Sequence, residues 1–438
     1  ACAAALRERL CRRDSALCLL VREPPLPASH ALIRAGTGAL NVTELAAQPT
    51  RHMRRFLIAA SVVASLSAGE PASARDHADL AARLDATLED FRARYSFPGA
   101  TAALALADGT IVTAATGLAD IENGRVMTPE TPMLAASIGK TFVAATLLTL
   151  ENEGRLSRTD LLADHLGDRP WFSALPNART MTLGQLLQHS SGLPDHIYLP
   201  AFRAAWTEIT QAEGTVLPED LLGFVTGMAP LFAAGSAWAY SDTGYILLGL
   251  VIEAVTGQAY RDIVRTRFIG PLALTGTFPS DSRDLPGIAV GYVAHDNLFG
   301  LPERTADTEG RLLWNPAVEW TGGGLASTSQ DLARWGQLLF GGEAMAEHYL
   351  DRLLDGVPVA PGVFYGLGVA IYADTPRGSV YGHGGWIPGY VSSLRHYADH
   401  GITAAFQINT DAGFIDDSSD LAHSLEQAIA DLAFEAAK

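Results

Sequence analysis

Ser137-Ile138-Gly139-Lys140 is the stretch of this sequence best suited to covalent chemistry. A serine hydroxyl is a weak nucleophile at its own pKa and needs a neighbouring base or cation. Residues three apart share one face of a helix, so Lys140 can reach Ser137 if the run Phe142-Val143-Ala144-Ala145 is helical. The first turn of such a helix adds partial positive charge where an oxyanion would form. Alone the spacing is common, and an N-cap serine beside a solvated lysine reads the same. Gly139-Lys140-Thr141 also imitates the end of a phosphate-binding loop. The glycine that loop requires at its start is Leu134 here, which excludes nucleotide binding.

Two later segments could complete a site. Tyr240-Ser241-Asp242 follows the small-residue loop Gly235-Ser236-Ala237 and precedes a helical pattern. A phenolate held beside an ammonium is a general base for Ser137. The same tripeptide can equally be a tyrosine at a helix start with Asp242 as its cap. His383-Gly384-Gly385-Trp386 follows the short β-prone run Ser379-Val380-Tyr381. Two glycines let a substrate lie close along a strand edge, and the N–H just after them, on Trp386, can donate to an oxyanion. A glycine turn with an exposed histidine also fits these letters. No Gly-x-Ser-x-Gly elbow occurs, which argues against an α/β-hydrolase. His396 and His400 have no third ligand nearby, so neither a metal nor any other cofactor is expected.

The elements that must position these residues divide by place in the chain. Leu80, Leu84, Leu88, Phe91 and Tyr95 recur at helical spacing and predict a helix over Ala78–Tyr95, stopped by Pro98-Gly99. Ala100–Ala107 and Thr110–Thr116 flank Asp108-Gly109 as a hairpin. Tyr365–Tyr372, Ser379–Tyr381, Val391–Tyr397 and Ile402–Asn409 read as strands, with a turn at Asp399-His400-Gly401, and Asp416–Ala436 as a closing helix. Between them the patterns are helical: Phe142–Leu150, Pro218–Thr226 and Tyr245–Val255, with capping-box signals at Thr182–Gln185 and Thr328–Asp331. The expected fold class is α+β. An antiparallel sheet formed from both chain ends is flanked by helices and carries an inserted, mainly helical lobe.

Composition bounds the setting. No methionine precedes Met53; Arg54-Arg55, the apolar run Phe56–Leu66 and Ala72-Ser73-Ala74 then follow the order of a secretory signal. The apolar run is too short to span a bilayer. The expected division is an upstream extension over 1–52, a signal over 53–74 and one hydrolase domain over 75–438, periplasmic or secreted and without a stable membrane anchor. All three cysteines (Cys2, Cys11, Cys18) fall before the domain, which leaves it no disulfide and no thiol nucleophile. The formal charge of −17 excludes nucleic acid as a partner, and residues 1–74 carry more basic than acidic side chains, so the domain alone is more acidic still.

The order Ser-x-x-Lys, Tyr-Ser-Asp, His-Gly-Gly resembles the serine β-lactamase and penicillin-binding family. Within it the likeness is to class C β-lactamases, D-alanyl-D-alanine carboxypeptidases, D-aminopeptidases and family VIII carboxylesterases. It spans nearly all of residues 78–438 and includes Leu186-Leu187-Gln188-His189-Ser190-Ser191-Gly192-Leu193-Pro194 and Gly322-Gly323-Gly324-Leu325-Ala326-Ser327-Thr328. The resemblance implies a site between sheet and helical lobe, with Ser137 as nucleophile, Lys140 and Tyr240 sharing the proton work, and the Ser137 and Trp386 N–H groups as oxyanion hole. It implies that Asp242, His383, Gly384 and Gly385 contact substrate. Asp242 stands where the family's β-lactamases usually carry Asn, and His383 where they carry Lys, so the site is less cationic toward a substrate carboxylate. A carboxylesterase is the expected activity. A D-peptidase or D-aminopeptidase and a class C-like β-lactamase are the alternatives, and a non-catalytic cell-wall peptide or protein binder is the reading from another class. The expected partners are small-molecule esters, amides or D-peptides.

Overall fold

The computed structural model describes residues 72–211, 216–295, 297–414 and 419–436. The expected extension over 1–52, the expected signal up to residue 71 and all three cysteines lie outside the described residues. Helix α1 (Ala72–Tyr95) begins on the expected cleavage site and extends the predicted helix by its first turns. Its stripe Leu80, Leu84, Leu88 and Phe91 is buried, each leucine contributing roughly 2 kcal/mol.

The hairpin follows as β1 (Gly99–Ala105) and β2 (Ile111–Asp120), and β3 (Arg125–Val126) extends it. After β4 (Met133–Leu134) comes helix α2 (Lys140–Asn152), then short helices of the inserted lobe, then α3 (Asp242–Thr256). Strands β5 (Phe278–Pro279) and β6 (Leu325–Ser327) join β4 in a small three-stranded sheet in the order β4-β6-β5, and α4 (Ser329–Phe340) follows. The chain returns through β7 (Val357–Ala360), β8 (Val363–Tyr365), β9 (Ala370–Thr375), β10 (Gly378–Ile387), β11 (Tyr390–Tyr397) and β12 (Ile402–Ile408), and ends in α5 (Leu421–Ala436).

The large sheet has the order β3-β2-β1-β12-β11-β10-β9-β8-β7 and is antiparallel throughout, as expected of a sheet built from both ends of the chain. β1 and β12 form its centre, with Ala100 opposite Ile408 and Ala105 opposite Thr403. Every residue of both strands is buried because both faces are covered. Ala100, Ala102 and Leu104 pack with α1 and α5, while Ala103 and Ala105 face the second core, which takes in α4 and the helical lobe. Alternation along a strand puts neighbours on opposite faces. The alanines let helices approach closely from both sides.

Two strands differ from expectation. The single strand predicted over Tyr365–Tyr372 is two, β8 and β9, joined through Gly366–Val369. Gly368 has φ +68°, and a Cβ there would lie 2.8 Å from the Lys140 carbonyl oxygen, so the chain breaks to pass over the first turn of α2. Second, β10 does not stop at Tyr381 but carries His383-Gly384-Gly385-Trp386 within it. Pairing with β9 ends at Gly382, so the remainder of β10 has a strand partner on the β11 side alone.

Candidate active site

Ser137 lies in a 3-10 turn, Ala136–Gly139, that runs from β4 into α2. Residues i and i+3 eclipse in this geometry, which stacks Lys140 over Ser137 more directly than the α-helix expected from sequence. Ala136 holds φ +49°, an uncommon value for a side-chain-bearing residue that costs roughly 1–2 kcal/mol and sharpens the turn before the serine. The turn lies against β10. A Cβ on Gly385 would come within 2.3 Å of the Ala135 carbonyl oxygen and 2.2 Å of Ser392 Oγ, so only glycine admits that approach.

Lys140 is fully buried. Its Nζ donates to Ser137 Oγ at 3.2 Å, to the Gly322 carbonyl at 2.5 Å and to Asp242 Oδ1. Those three acceptors match the three donors of an ammonium. Its Nζ also lies 4.9 Å from the Tyr240 ring centre and 5.2 Å from that of Tyr245. Asp242 opens α3, but Ser241 is the N-cap residue and makes no side-chain cap bond. The Asp242 carboxylate is thus turned to Lys140.

Tyr240 is buried, 8 % exposed, as is Ser137 to the same extent. Its hydroxyl has no hydrogen bond at full strength among the described residues, although Ser137 is near enough to lower its pKa by partial bonding. Burial, and then the Asp242 charge, outweigh this and hold the phenol well above the ordinary tyrosine range. The resting residue is therefore a phenol.

An open cleft joins Ser137, Tyr240 and Asp242. Ser137, Tyr240, Asp242 and Glu319 are among its lining residues. Trp206, Phe299 and Trp386 line it as well, with Phe299 stacked on Trp206 at 4.2 Å between ring centres and on Trp386 at 6.4 Å. Trp386 is held by its indole N–H donating to buried Asp411 at 3.1 Å. The Glu319 backbone carbonyl accepts from the Gly322 N–H at 2.6 Å, but its carboxyl group accepts no hydrogen bond and forms no ion pair among the described residues. Burial, and then the neighbouring Asp242 carboxylate, raise its pKa to about 8, against the pull of Lys140.

The structure brings Ser137, Lys140, Tyr240, Asp242 and Trp386 to one cleft. Gly384 and Gly385 pass beside it on β10. His383 is buried with both ring nitrogens engaged inside the protein, by Tyr365 and by the Gly384 carbonyl, and it does not line the cleft. Sequence reasoning missed Glu319, Trp206 and Phe299, which come from segments without a motif. Glu319 stands three residues before the Gly322-Gly323-Gly324 segment, whose first carbonyl holds Lys140.

A family model described as Beta-lactamase matches residues 84–428. Penicillin-binding protein 4* of Bacillus subtilis (strain 168) is 28 % identical over 301 residues, covering 67 % of this chain and 64 % of its own length. A D-aminopeptidase of Cereibacter sphaeroides is 27 % identical over 344 residues, covering 75 % of this chain and 60 % of its own. The chain thus spans less than two thirds of either relative. Among solved structures, a D-stereospecific amidohydrolase from Streptomyces sp. superposes with TM-score 0.64 at 28 % identity, covering 78 % of this chain and 98 % of that one. D-amino acid amidase from Ochrobactrum anthropi SV3, complexed with L-phenylalanine amide, gives TM-score 0.67 at 25 % identity over 82 % of this chain and 98 % of that one. The family match takes in the central strands, the Ser137 turn, α3 and β10 alike, and the chain belongs to the beta-lactamase family.

Proposed function

We propose that this chain is a serine hydrolase that forms an acyl-enzyme on Ser137 and prefers amino-acyl amides or short peptides with a free ammonium beside the scissile carbonyl. The observation that carries the preference is Glu319, an acid without a cation of its own in the same cleft as Ser137 and Asp242. With its pKa raised to about 8 it is largely protonated near neutral pH, and a substrate ammonium placed beside it favours the carboxylate. The aromatic wall of Trp206, Phe299 and Trp386 suits the side chain of such a substrate. The amidohydrolase, amidase and aminopeptidase relatives support the same class.

In the fraction of enzyme whose Tyr240 has lost its proton to solvent, Ser137 Oγ attacks the carbonyl carbon while its proton passes to the phenolate oxygen, which the Lys140 ammonium stabilises. The oxyanion is met by the backbone N–H groups of Ser137 and Trp386. The Pro388-Gly389 turn closes the β10–β11 hairpin on the pair Ile387–Tyr390. Ladder alternation then directs the Trp386 N–H away from β11. Tyr240 returns the proton to the leaving amine, and water repeats the sequence on the acyl-enzyme, freeing the acid and Ser137. A carboxylesterase is the second reading, favoured by the apolar share of the cleft (Ile197, Ile387, Pro388), which takes an acyl group without an ammonium. Export to the periplasm or medium through Met53–Ala74 is part of the proposal.

A substrate panel tests both readings: D- and L-phenylalanine amide, D-alanyl peptides, p-nitrophenyl esters of rising chain length and nitrocefin. Amides with a free ammonium should exceed nitrocefin in kcat/KM. Glu319→Gln should lower kcat/KM about tenfold or more for these amides and leave neutral esters within about twofold. Fluorophosphonate labelling should vanish in Ser137→Ala. Near wild-type turnover by Ser137→Ala would remove the mechanism, and an equal effect of Glu319→Gln on amides and esters would remove the substrate class.

A further inference from the structure

Tyr365, at the end of β8, stands between two buried histidines from distant parts of the chain. Its hydroxyl lies 2.7 Å from His383 Nε2 and 3.2 Å from His189 Nε2. The outer nitrogens settle the direction of these bonds. The Ser241 N–H donates to His189 Nδ1 at 3.2 Å, so neutral His189 carries its proton on Nε2. His383 Nδ1 lies 2.5 Å from the Gly384 carbonyl oxygen, which can only accept, so neutral His383 carries its proton on Nδ1 and offers a bare Nε2. One order satisfies every atom. Ser241 N–H donates to His189, His189 Nε2–H to Tyr365, Tyr365 O–H to His383, and His383 Nδ1–H to the Gly384 carbonyl.

The ends of this chain are backbone atoms of two separate motifs. Ser241 lies between Tyr240 and Asp242 in the helical lobe, and Gly384 lies two residues before Trp386 in the sheet. His189 also stacks on the Tyr240 ring at 4.1 Å, and its carbonyl accepts from the Ala239 N–H. It holds a left-handed backbone, φ +58°, which the surroundings must impose. The three members are at most 2 % exposed. Burial first, and then the Lys140 charge, push both imidazoles down, His383 to about 3 and His189 well below its ordinary value. The other charged or titratable groups that act on the chain are Asp242, Tyr240 and Tyr245 from the helical lobe and Arg395 and Tyr372 from the sheet.

We propose that His189, Tyr365 and His383 are positioning residues, a directed hydrogen-bond chain that holds the Tyr240–Asp242 loop in register with the edge of β10. It acts through Tyr240 and Trp386 and touches no substrate. The proposal rests on the acyl-enzyme reading of Ser137.

The direct test is nitrogen NMR of histidine-labelled protein. Across about pH 5 to 9 His189 should remain the Nε2–H tautomer and His383 the Nδ1–H tautomer. In Tyr365→Phe, kcat should fall about tenfold or more with KM within about twofold, at full fluorophosphonate-titratable serine. His383→Gln keeps an acceptor for Tyr365 and should retain about a third of the activity, whereas His383→Leu should fall as Tyr365→Phe does. Histidines that titrate near 6.5, or a Tyr365→Phe protein with wild-type kcat, overturn the proposal. If Tyr365→Phe does not fold, the His383 pair and the tautomers decide it. A wild-type protein that fluorophosphonate does not label would sink the acyl-enzyme reading instead, with the tautomers still readable.

Discussion

Asp242 is where one atom changes the site. As a carboxylate it ties Lys140 and, after burial, is the largest influence holding Tyr240 as a phenol. The base-competent phenolate therefore belongs to alkaline solution, and kcat should climb with pH on that side. Asp242→Asn removes the charge that raises the Tyr240 pKa, so the alkaline limb should move to lower pH, while a role as cap alone would leave it in place. Because Glu319 is itself raised to about 8, partly by Asp242, the pH–rate profile on a neutral ester is compared in a Glu319→Gln background, and an unmoved limb there refutes the idea. Nitrocefin turnover should gain relative to the ester, since the site loses a negative charge. Ser137, Lys140 and Tyr240 were legible because three short motifs in fixed order are rare together. Glu319 was not, since a lone glutamate before a glycine run carries no pattern. His189 and Tyr365 were equally hidden, being joined to His383 only by the tertiary fold.

At the level of elements, the periodicity of apolar residues located α1, α2, α3 and most strands of the large sheet, because a half-covered helix or strand must repeat at its own period. It failed where a neighbouring element dictates the backbone. The break between β8 and β9 is set by the carbonyl of Lys140, and nothing within Tyr365–Tyr372 announces it. The extension of β10 through two glycines likewise depends on what lies beneath Gly385. That contact gives an expected outcome. Gly385→Ala would place a methyl against Ala135 and Ser392, forcing β10 off the Ser137 turn at about 1–3 kcal/mol. We expect kcat to fall at least about tenfold in protein that still melts cooperatively, measured by thermal unfolding beside kinetics. Full activity would mean that β10 and the turn can separate without consequence.

For the whole molecule, the division expected at residue 74 can be tested on the fold. Among the described side chains of α1 the first buried one is Leu80, and its stripe continues through Phe91. A protein beginning at Arg75 should therefore retain full activity and its melting temperature within about 2 °C, because the stripe from Leu80 to Phe91 is kept whole. Material recovered from a bacterial periplasm or medium should begin near the same residue, by mass spectrometry of the intact chain. Loss of folding on removing residues 1–74 would show instead that the early segment is structural. Among the described residues no helix is long and apolar enough to cross a membrane. The net charge of −17 keeps anionic surfaces and nucleic acids at a distance and leaves cationic substrates favoured by the long-range field as well as by Glu319.

The pairing of β1 with β12 has a kinetic side. Ala100 finds Ile408 only after nearly the entire described fold has been synthesised, and until then the β1–β2 hairpin and β11 have no strand to join them. Closing so long a loop costs entropy before any contact repays it, and such topologies fold slowly. A ribosome-bound chain ending before Ile402 would still lack β12, leaving β1 and β11 with open edges. The keystone strand of the sheet is thus the last of its described strands to be made. A polypeptide that cannot close its sheet until β12 has been made stays threadable through a translocation channel up to that point, which agrees with the export proposed above.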